Sequence, residues 1–313
     1  MATVSDHRGG AQPLDQLEEL RDRPGLWKQF TTFAKKQPLG FAGAVVVVVF
    51  IIMAVFAPWL SPFDPEASNY EHMLAPPGTS SELGTFILGT DDFGRDVLTR
   101  IIYGARTALF VGFTCAFIGA TIGLVLGVGS AYFGGLVDLI FQRIVDVFMA
   151  FPLIIMALSI VAIFGSSIQN VIIAITIPFI PKCARVVRSS ALAIREIPYI
   201  DAARANGFSN TRIILRHMVP NVMAPFLIMI TSFVGQAILL EASLSFLGLG
   251  VQEPTPAWGL MLKNAQEYIR QEPWIAIWPG VAITVAVFGF NLVGDALRDA
   301  LDPSLRSAQS QRL

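Results

Sequence analysis

The chain has 313 residues, of which 54% are hydrophobic and only 14% charged, and its mean hydropathy is +0.61. A soluble domain carries about 25% charged residues, so this composition excludes an ordinary soluble protein and predicts an all-α, polytopic membrane protein. The formal net charge is −1, and we expect a lipid membrane rather than a nucleic acid as its environment.

Residues 1–38 are polar and basic, and we interpret them as a cytoplasmic N-terminal tail. They are too long and too charged for the n-region of a signal peptide. Spaced apolar residues between Leu14 and Lys36 predict a short amphipathic helix on the membrane surface, interrupted at Pro24 and Gly25. The alternative for the part up to Gly25 is a disordered tail.

Six apolar runs predict six transmembrane helices, because about 20 apolar residues cross a bilayer. The first covers residues 39–60, and an extracytoplasmic segment, 61–106, rich in Pro, Asp and Glu, follows it. The other five lie in a core of residues 107–296, and residues 297–313 form a cytoplasmic tail. These five spans are Thr107–Ala131, Phe141–Phe164 with Pro152 inside it, Val171–Val187 interrupted by Pro178 and Pro181, Val222–Leu249 and Trp274–Val293.

Two local patterns predict how these spans pack. Gly119, Gly123 and Gly127 repeat every four residues on one face of the second span, which allows a close helix crossing. Asp138, with Arg143 and Asp146, clusters near the start of the third span, where we expect the charges to pair locally.

Most of the 22 Lys and Arg residues fall in the N-terminal tail, the turn between the second and third spans, residues 182–216 and the C-terminal tail. Cytoplasmic loops are the basic ones in membrane proteins. This distribution predicts that both termini are cytoplasmic and that the protein lies in the cell (inner) membrane.

Residues 195–221 form a basic passage between two apolar runs. Pro198 can begin a short helix, since its missing N–H would be unpaired there in any case. Gly207 can end that helix in the left-handed conformation, and Ser209 can cap a second helix, Thr211–Val219, which Pro220 would break. The segment is therefore predicted to be a helix–turn–helix that projects from the membrane.

Small residues on the first of these helices, Ala202, Ala203 and Ala205, would let the surface of another protein approach the backbone closely. A projecting hairpin with such a knob suits a groove in a partner. The alternative is an ordinary cytoplasmic loop whose basic residues only set the topology.

The segment before the second span carries several charges among aliphatic residues. Asp96 and Arg100 are four residues apart and could form an ion pair on one helix face, which contributes little by itself. An amphipathic helix at the interface is the simplest interpretation of this pattern.

Glu241 is the one acidic residue well inside an apolar run. A carboxylate within a membrane span is a candidate functional group. Because Glu241 lies toward the outer end of the fifth span, we favour a structural hydrogen bond or a role in an outer gate over direct contact with substrate.

The sequence offers no catalytic or metal-binding pattern. Cys115 and Cys183 lie in or beside apolar runs, and the three histidines are scattered. No lysine follows a glycine, so the chain lacks the Gly-Lys-Ser/Thr end of a phosphate-binding loop. We expect no catalytic residue, metal ligand or cofactor in this chain, and any use of ATP and Mg²⁺ would belong to a separate subunit.

The 195–221 segment resembles the cytoplasmic coupling loop, or EAA loop, of ABC importer permeases. An acidic residue, two alanines, a glycine and a proline fall in register with that pattern, with Asp201 in place of the usual glutamate and Val219 in place of the usual leucine. The matching residues are Asp201, Ala202, Ala203, Gly207 and Pro220, and Tyr199 lies beside them.

Three further stretches resemble the C-type permease subunits of dipeptide, oligopeptide and nickel importers. They are residues 87–109, 241–262 and 294–306. With the coupling loop, the resemblance runs from about Leu39 to the C-terminal tail. It implies the type I ABC importer permease fold, half of a translocation pore for di- or oligopeptides, and docking of an ATPase on the coupling loop.

The resemblance also implies the partners: a homologous permease subunit, two ATP-binding subunits that hold ATP and Mg²⁺, and an extracytoplasmic substrate-binding protein. Asp91, Arg95 and Asp96 are candidate contacts for the binding protein, since exposed loops on rigid scaffolds often carry contacts. Glu241 is the candidate gate residue.

Alternatives remain at this point. The same family includes importers of nickel and other small solutes. An ion-coupled secondary transporter would need a buried carboxylate near the midplane and matching broken helices in two repeats, and only Glu241 is a candidate. An intramembrane enzyme finds no support, because the spans carry no paired nucleophile and base.

Overall fold

The computed structural model describes residues 37–82 and 84–301. The predicted amphipathic helix of the N-terminal tail and most of the C-terminal tail lie outside these residues. Eleven α-helices occur in the described part: α1 Pro38–Val55, α2 Ala57–Leu60, α3 Val97–Phe133, α4 Gly135–Ala150, α5 Leu153–Phe164, α6 Ile168–Arg195, α7 Pro198–Ala205, α8 Asn210–Ile213, α9 Met223–Phe246, α10 Trp258–Ala265 and α11 Trp274–Leu301.

The segment between α2 and α3 contains a 3₁₀ turn, Tyr70–His72, and two short antiparallel strands, β1 Thr79–Ser81 and β2 Gly84–Phe86. Thr79 pairs with Phe86 in this hairpin. The long helix α3 begins at Val97, so the last part of the predicted 61–106 segment is already helical and continuous with the second span.

Within residues 37–82 and 84–301, five helical segments are long and apolar enough to cross a membrane: α1, α3, α6, the run Asn210–Phe246 and α11. The predicted third span is not one straight helix, because α4 and α5 meet at an angle of 88°. Phe151 and Pro152 between them are extended, as expected for a residue before proline and for the proline itself. If this bent pair counts as one span, the total is six.

Prolines elsewhere do not interrupt the helices as predicted. Pro178 and Pro181 lie inside α6, which continues to Arg195. Pro220 lies in a 3₁₀ turn, Val219–Val222, that follows a π turn, Ile214–Met218. The π turn and the 3₁₀ turn have hydrogen-bond spacings different from those of an α-helix, and they accommodate Pro220 although it has no N–H. The chain therefore stays helical into α9 instead of breaking.

The predicted close helix crossing is confirmed between α3 and α6. A Cβ atom on Gly119 would lie 2.8 Å from the Cβ of Phe179, and one on Gly123 would lie 2.6 Å from the Cβ of Cys183. Even alanine would push the two backbones apart at this crossing.

The charges of α4 pair with α6 rather than locally, which corrects the sequence-based expectation. Asp138 accepts two hydrogen bonds from Arg188, at 2.6 and 2.5 Å, and Asp146 accepts one from Arg185. The angle at Pro152 allows α4 to run beside α6, where these arginines are within reach. Two ion pairs thus hold the bent segment against the core.

Candidate functional site

The coupling segment, residues 195–221, forms the predicted helical hairpin. Helix α7 begins at Pro198 and ends in a turn in which Gly207 has φ +74°. The N–H of Phe208 donates to the carbonyl of Ala203 at 3.1 Å, and the N–H of Gly207 donates to the carbonyl of Arg204 at 2.9 Å. These two bonds are those of a Schellman motif, which satisfies carbonyls at the end of a helix.

The start of the second helix is also as predicted. The Ser209 hydroxyl accepts a hydrogen bond from the N–H of Arg212 at 3.4 Å, which is a capping contact at the helix N-terminus. Arg212 in turn lies over the ring of Phe208, 4.0 Å from its centre. The turn between the two helices is therefore fixed from both sides.

One side of α7 packs into the protein. Ile200 is completely buried and Ala203 is 5% exposed, so Ala203 belongs to the core and not to the predicted exposed knob. At the end of α3, the Tyr132 hydroxyl donates to Asn210 at 2.7 Å, and Arg204 lies over the Tyr132 ring at 5.3 Å. These contacts attach the hairpin to the longest helix of the protein.

A second attachment joins α7 to the π turn. The carbonyl of His217 accepts hydrogen bonds from Asn221 Nδ2 at 2.6 Å and from the Tyr199 hydroxyl at 3.2 Å. Both side chains therefore satisfy a carbonyl just before Pro220, where the regular helical pattern is lost. Tyr199 is thus bonded to the turn just before Pro220, although the two residues are 21 positions apart in the sequence.

The outward side of α7 is small and polar. Ala202, Ala205 and Asn206 are exposed, and Asp201 forms an exposed ion pair with Arg204 at 3.0 Å. Such a pair contributes little to stability. A helix that is attached on its inner side and carries exposed alanines and charges on its outer side can serve as a docking surface for another protein.

The opposite end of α3 carries a buried ionic cluster of Asp91, Arg95, Arg100 and Glu253. Arg95 donates to Asp91 at 2.7 Å and makes two bonds to Glu253, at 2.7 and 3.2 Å. Arg100 lies 3.3 Å from Glu253 and 3.7 Å from Asp91. The cluster joins the segment before α3 to the loop between α9 and α10.

Burial and neighbouring charges shift the pKa values of Glu253 and of Asp92, which follows Asp91 in the chain. Burial would raise the pKa of Glu253, but the hydrogen bond from Arg95 and the charges of Arg100 and Arg95 hold it below its ordinary value. Burial and the neighbouring charge of Asp91 raise the pKa of Asp92 to about 6. The two arginines therefore favour the ionised form of Glu253.

Asp96 does not pair with Arg100, contrary to the sequence-based expectation. Its carboxylate accepts a hydrogen bond from the N–H of Thr99 at 2.8 Å and caps the start of α3. Asp91, Arg95 and Asp96 are each at most 5% exposed. The structure gives these residues a role in holding the segment in place, and their contact with a binding protein stays a prediction.

Glu241 occupies a satisfied structural position near the end of α9. It is 1% exposed, and Ser245 Oγ donates to it at 2.6 Å. The same Ser245 Oγ accepts a hydrogen bond from the N–H of Val251 at 3.1 Å. Glu241 thus supports the turn that follows α9, and its role as a gate stays a prediction.

Sequence reasoning did not single out Glu253, Tyr132 or Trp258. Trp258 is 1% exposed and its indole N–H donates to the carbonyl of Ile101 at 3.0 Å. An acidic residue next to a proline in a loop after a span was the only available signal for Glu253. Nothing in the sequence indicates that Tyr132 lies beside Asn210.

An apolar cavity of about 320 Å³ lies between α3, α4 and α6. Its lining carries no charged side chain, so it offers nothing to a charged solute. The lining residues are Leu126, Phe141, Ile144, Val145, Phe148, Ile177, Ile180 and Pro181.

Two known families match this chain. Residues 119–307 match the family described as binding-protein-dependent transport system inner membrane component. Residues 25–77 match the N-terminal TM domain of oligopeptide transport permease C.

Similar proteins are named as permeases for dipeptides, peptides or glutathione. A dipeptide transport system permease protein DppC of Alkalihalophilus pseudofirmus is 43% identical over 281 residues, covering 90% of this chain and 91% of the relative. A glutathione transport system permease protein GsiD of Escherichia coli is 39% identical and covers 95% of each chain. A putative peptide transport system permease protein of Brucella suis is 42% identical, covering 84% of this chain and 87% of the relative.

The fold is similar to that of a solved transporter. An inward-facing structure of the MetNI methionine ABC transporter aligns with a TM-score of 0.53 and 21% identity, covering 66% of this chain and 97% of that chain. This likeness concerns the fold alone.

Proposed function

Since this chain belongs to the family of binding-protein-dependent inner membrane transport components, the permeases of ABC importers, we propose that it forms half of the translocation pore of an ATP-driven peptide importer. The relatives named above are permeases for dipeptides, peptides and glutathione. Peptides are therefore the proposed cargo.

The main support for this proposal is the way in which the coupling hairpin is attached and exposed. Its inner side is fixed to Tyr132 and His217, while Asp201, Ala202 and Ala205 face outward. We place the ATPase-docking surface on this outward side of α7. A rigid attachment matters because a push on a loosely held loop would move only the loop.

The chain has no phosphate-binding loop of its own. The proposed complex therefore contains two ATP-binding subunits, which hold ATP and Mg²⁺, together with a homologous permease. A substrate-binding protein delivers the peptide at the opposite face. The ionic cluster around Arg95 would act there indirectly, by holding the surface segment that receives the binding protein.

The proposed mechanism has two states. With both termini in the cytoplasm, ATP binding closes the two ATPase subunits and moves the docked hairpins together. The ties from the hairpin to α3 and to the helical run into α9 pass this movement to the spans. The pore then opens toward the binding protein, and hydrolysis returns it to the inward-facing state.

Reconstitution tests the proposal. The chain is co-expressed with the products of its neighbouring genes, and the complex is placed in proteoliposomes with its binding protein and a radiolabelled dipeptide. Uptake should require ATP and Mg²⁺ and should stop when an ATPase-inactive variant of the partner subunit is used. Uptake driven by a proton or sodium gradient without ATP would contradict the proposal.

Ala202→Trp tests the docking surface within the same system. A bulky side chain on the outward side of α7 should lower uptake about tenfold or more, equivalent to a loss of about 1.4 kcal/mol in binding free energy. Ala193→Trp is the matched control, because Ala193 is also an exposed helical alanine but precedes the hairpin. Wild-type uptake by the Ala202→Trp complex would place the docking surface elsewhere.

A further inference from the structure

Three polar side chains lie within apolar helices and have no hydrogen-bond or ion-pair partner among the described residues. Lys182 of α6 is half-buried, and Gln236 of α9 and Asn291 of α11 are exposed. None of them makes a hydrogen bond or ion pair with a residue in the described part of the chain. In hydrocarbon, unsatisfied polar groups are costly and mark functional surfaces.

The first two side chains lie on the same side of one helix pair. The rings of Phe179 and Phe233 stack at 4.2 Å where α6 meets α9. Lys182 is three residues after Phe179, and Gln236 is three residues after Phe233, so each neighbours the stacked ring on its own helix. Because α6 and α9 are antiparallel and right-handed, these offsets turn both side chains to the same side of the contact.

Asn291 extends this arrangement to a third helix. A Cβ atom on Gly235 would lie 3.1 Å from Asn291 Oδ1, so Asn291 packs against α9 at the position just before Gln236. The other side of α9 is covered by α3, since a Cβ on Gly112 would contact Val234. The polar row of Lys182, Gln236 and Asn291 therefore crosses α6, α9 and α11 on the side away from α3.

The chemistry of the polar row matches a peptide. An unpaired ammonium group attracts a carboxylate, and side-chain amides can both donate to and accept from peptide groups. Lys182 lies near the middle of the 28-residue helix α6, far from the coupling hairpin, so it belongs to a span and not to the cytoplasmic residues 182–216 of the sequence-based charge distribution. A surrounding lipid chain would satisfy none of these groups.

We propose that the polar row lines the translocation path, with Lys182 binding the C-terminal carboxylate of the passing peptide and with Gln236 and Asn291 contacting its amides. This inference rests on the proposed function, since it takes a peptide as the cargo. It assigns the recognition of cargo within the membrane to three residues of this chain.

Substitution of Lys182 gives the first test, in the full complex with saturating binding protein. Lys182→Met should lower dipeptide uptake about tenfold or more, because a hydrogen-bonded charge is lost, while ATP hydrolysis stimulated by the binding protein is unchanged. Lys182→Arg should restore most of the uptake. Lys263→Met, which removes a lysine charge from α10, should transport normally.

Cysteine accessibility gives a second test that does not depend on transport. In single variants Gln236→Cys and Asn291→Cys, a charged, water-soluble thiol reagent should react quickly, and added dipeptide with binding protein should slow the reaction. Val125→Cys is the matched control, because Val125 is 66% exposed on α3 and should face lipid. The native Cys115 and Cys183 are buried and give little background.

The possible outcomes distinguish a failure of the proposed function from a failure of the polar-row proposal. If the wild-type complex imports no peptide with ATP, the proposed function fails. If the wild-type complex imports peptide but the Lys182→Met complex transports at the same rate, the polar-row proposal is wrong. It is also wrong if the cysteines of Gln236→Cys and Asn291→Cys react no faster than that of Val125→Cys. Slow labelling would then indicate that the partner permease covers these side chains.

Discussion

Replacing Gly207 with valine tests whether the closing turn of the coupling hairpin transmits force. Gly207 has φ +74°, and nothing lies within 4 Å of the position that a Cβ atom would take. A substitution there meets no steric obstacle from neighbours, so its entire effect comes from the backbone conformation. A substitution at position 207 therefore tests the backbone conformation of the turn without an added steric effect.

The free-energy cost of the substitution follows from the left-handed conformation of residue 207. The left-handed region costs an L-residue about 1–3 kcal/mol, with β-branched residues at the upper end. The change also threatens the two bonds that close α7, from the N–H groups of Gly207 and Phe208. A cost of about 2 kcal/mol lowers the ratio of closed to open turn about 30-fold, which would loosen the hairpin without unfolding the membrane spans.

The assay compares membrane insertion, ATPase binding and uptake for the same variant. Gly207→Val should insert normally, because the spans are untouched, and should lose transport and ATP hydrolysis stimulated by the binding protein. Gly207→Asn should keep most activity, since asparagine tolerates the left-handed region. Gly165→Val is the matched control, because Gly165 has φ +87° and equally open surroundings but joins α5 to α6.

Normal transport by Gly207→Val would refute the reasoning that the closed turn couples the permease to its ATPase subunit. An equal loss of coupling in Gly165→Val would also refute it, because the effect would then reflect general destabilisation. Retained coupling in that control, together with its loss in Gly207→Val, locates the defect in the hairpin.

Three further predictions concern the opposite end of α3. Glu253→Gln should lower the free energy of unfolding by about 1–3 kcal/mol in a thermal melt, less than for a fully buried pair because the Glu253 side chain keeps 35% exposure; an unchanged melt would show that Arg95 and Arg100 need no such partner. Folding lowers the pKa of Glu253, so the ionised Glu253 stabilises the folded state at neutral pH. This stabilisation is lost as the pH falls through the folded-state pKa. The melting temperature of the wild type should therefore fall more steeply below about pH 4.5 than that of Glu253→Gln. Gly104→Leu should destabilise the protein by about 1–3 kcal/mol, because even a Cβ there would lie 2.6 Å from Trp258; a melt equal to that of wild type would contradict this packing argument.

The sequence by itself determined the membrane class, the positions of most spans and the coupling hairpin. Long apolar runs and the Pro198–Gly207 signals act over short distances, so local chemistry is sufficient to predict them. The repeat of Gly119 and Gly123 also indicated a close crossing, although only the structure identified α6 as its partner.

Only the tertiary structure decided which distant residues meet. Arg95 and Glu253 are 158 residues apart, and the polar row joins three helices at Lys182, Gln236 and Asn291. The continuity of the chain through Pro220 was likewise decided by a π turn and by the side chains that satisfy the His217 carbonyl. The physical reason is that helix packing and side-chain hydrogen bonds depend on neighbours in space, which a period of 3.6 residues along the chain does not encode.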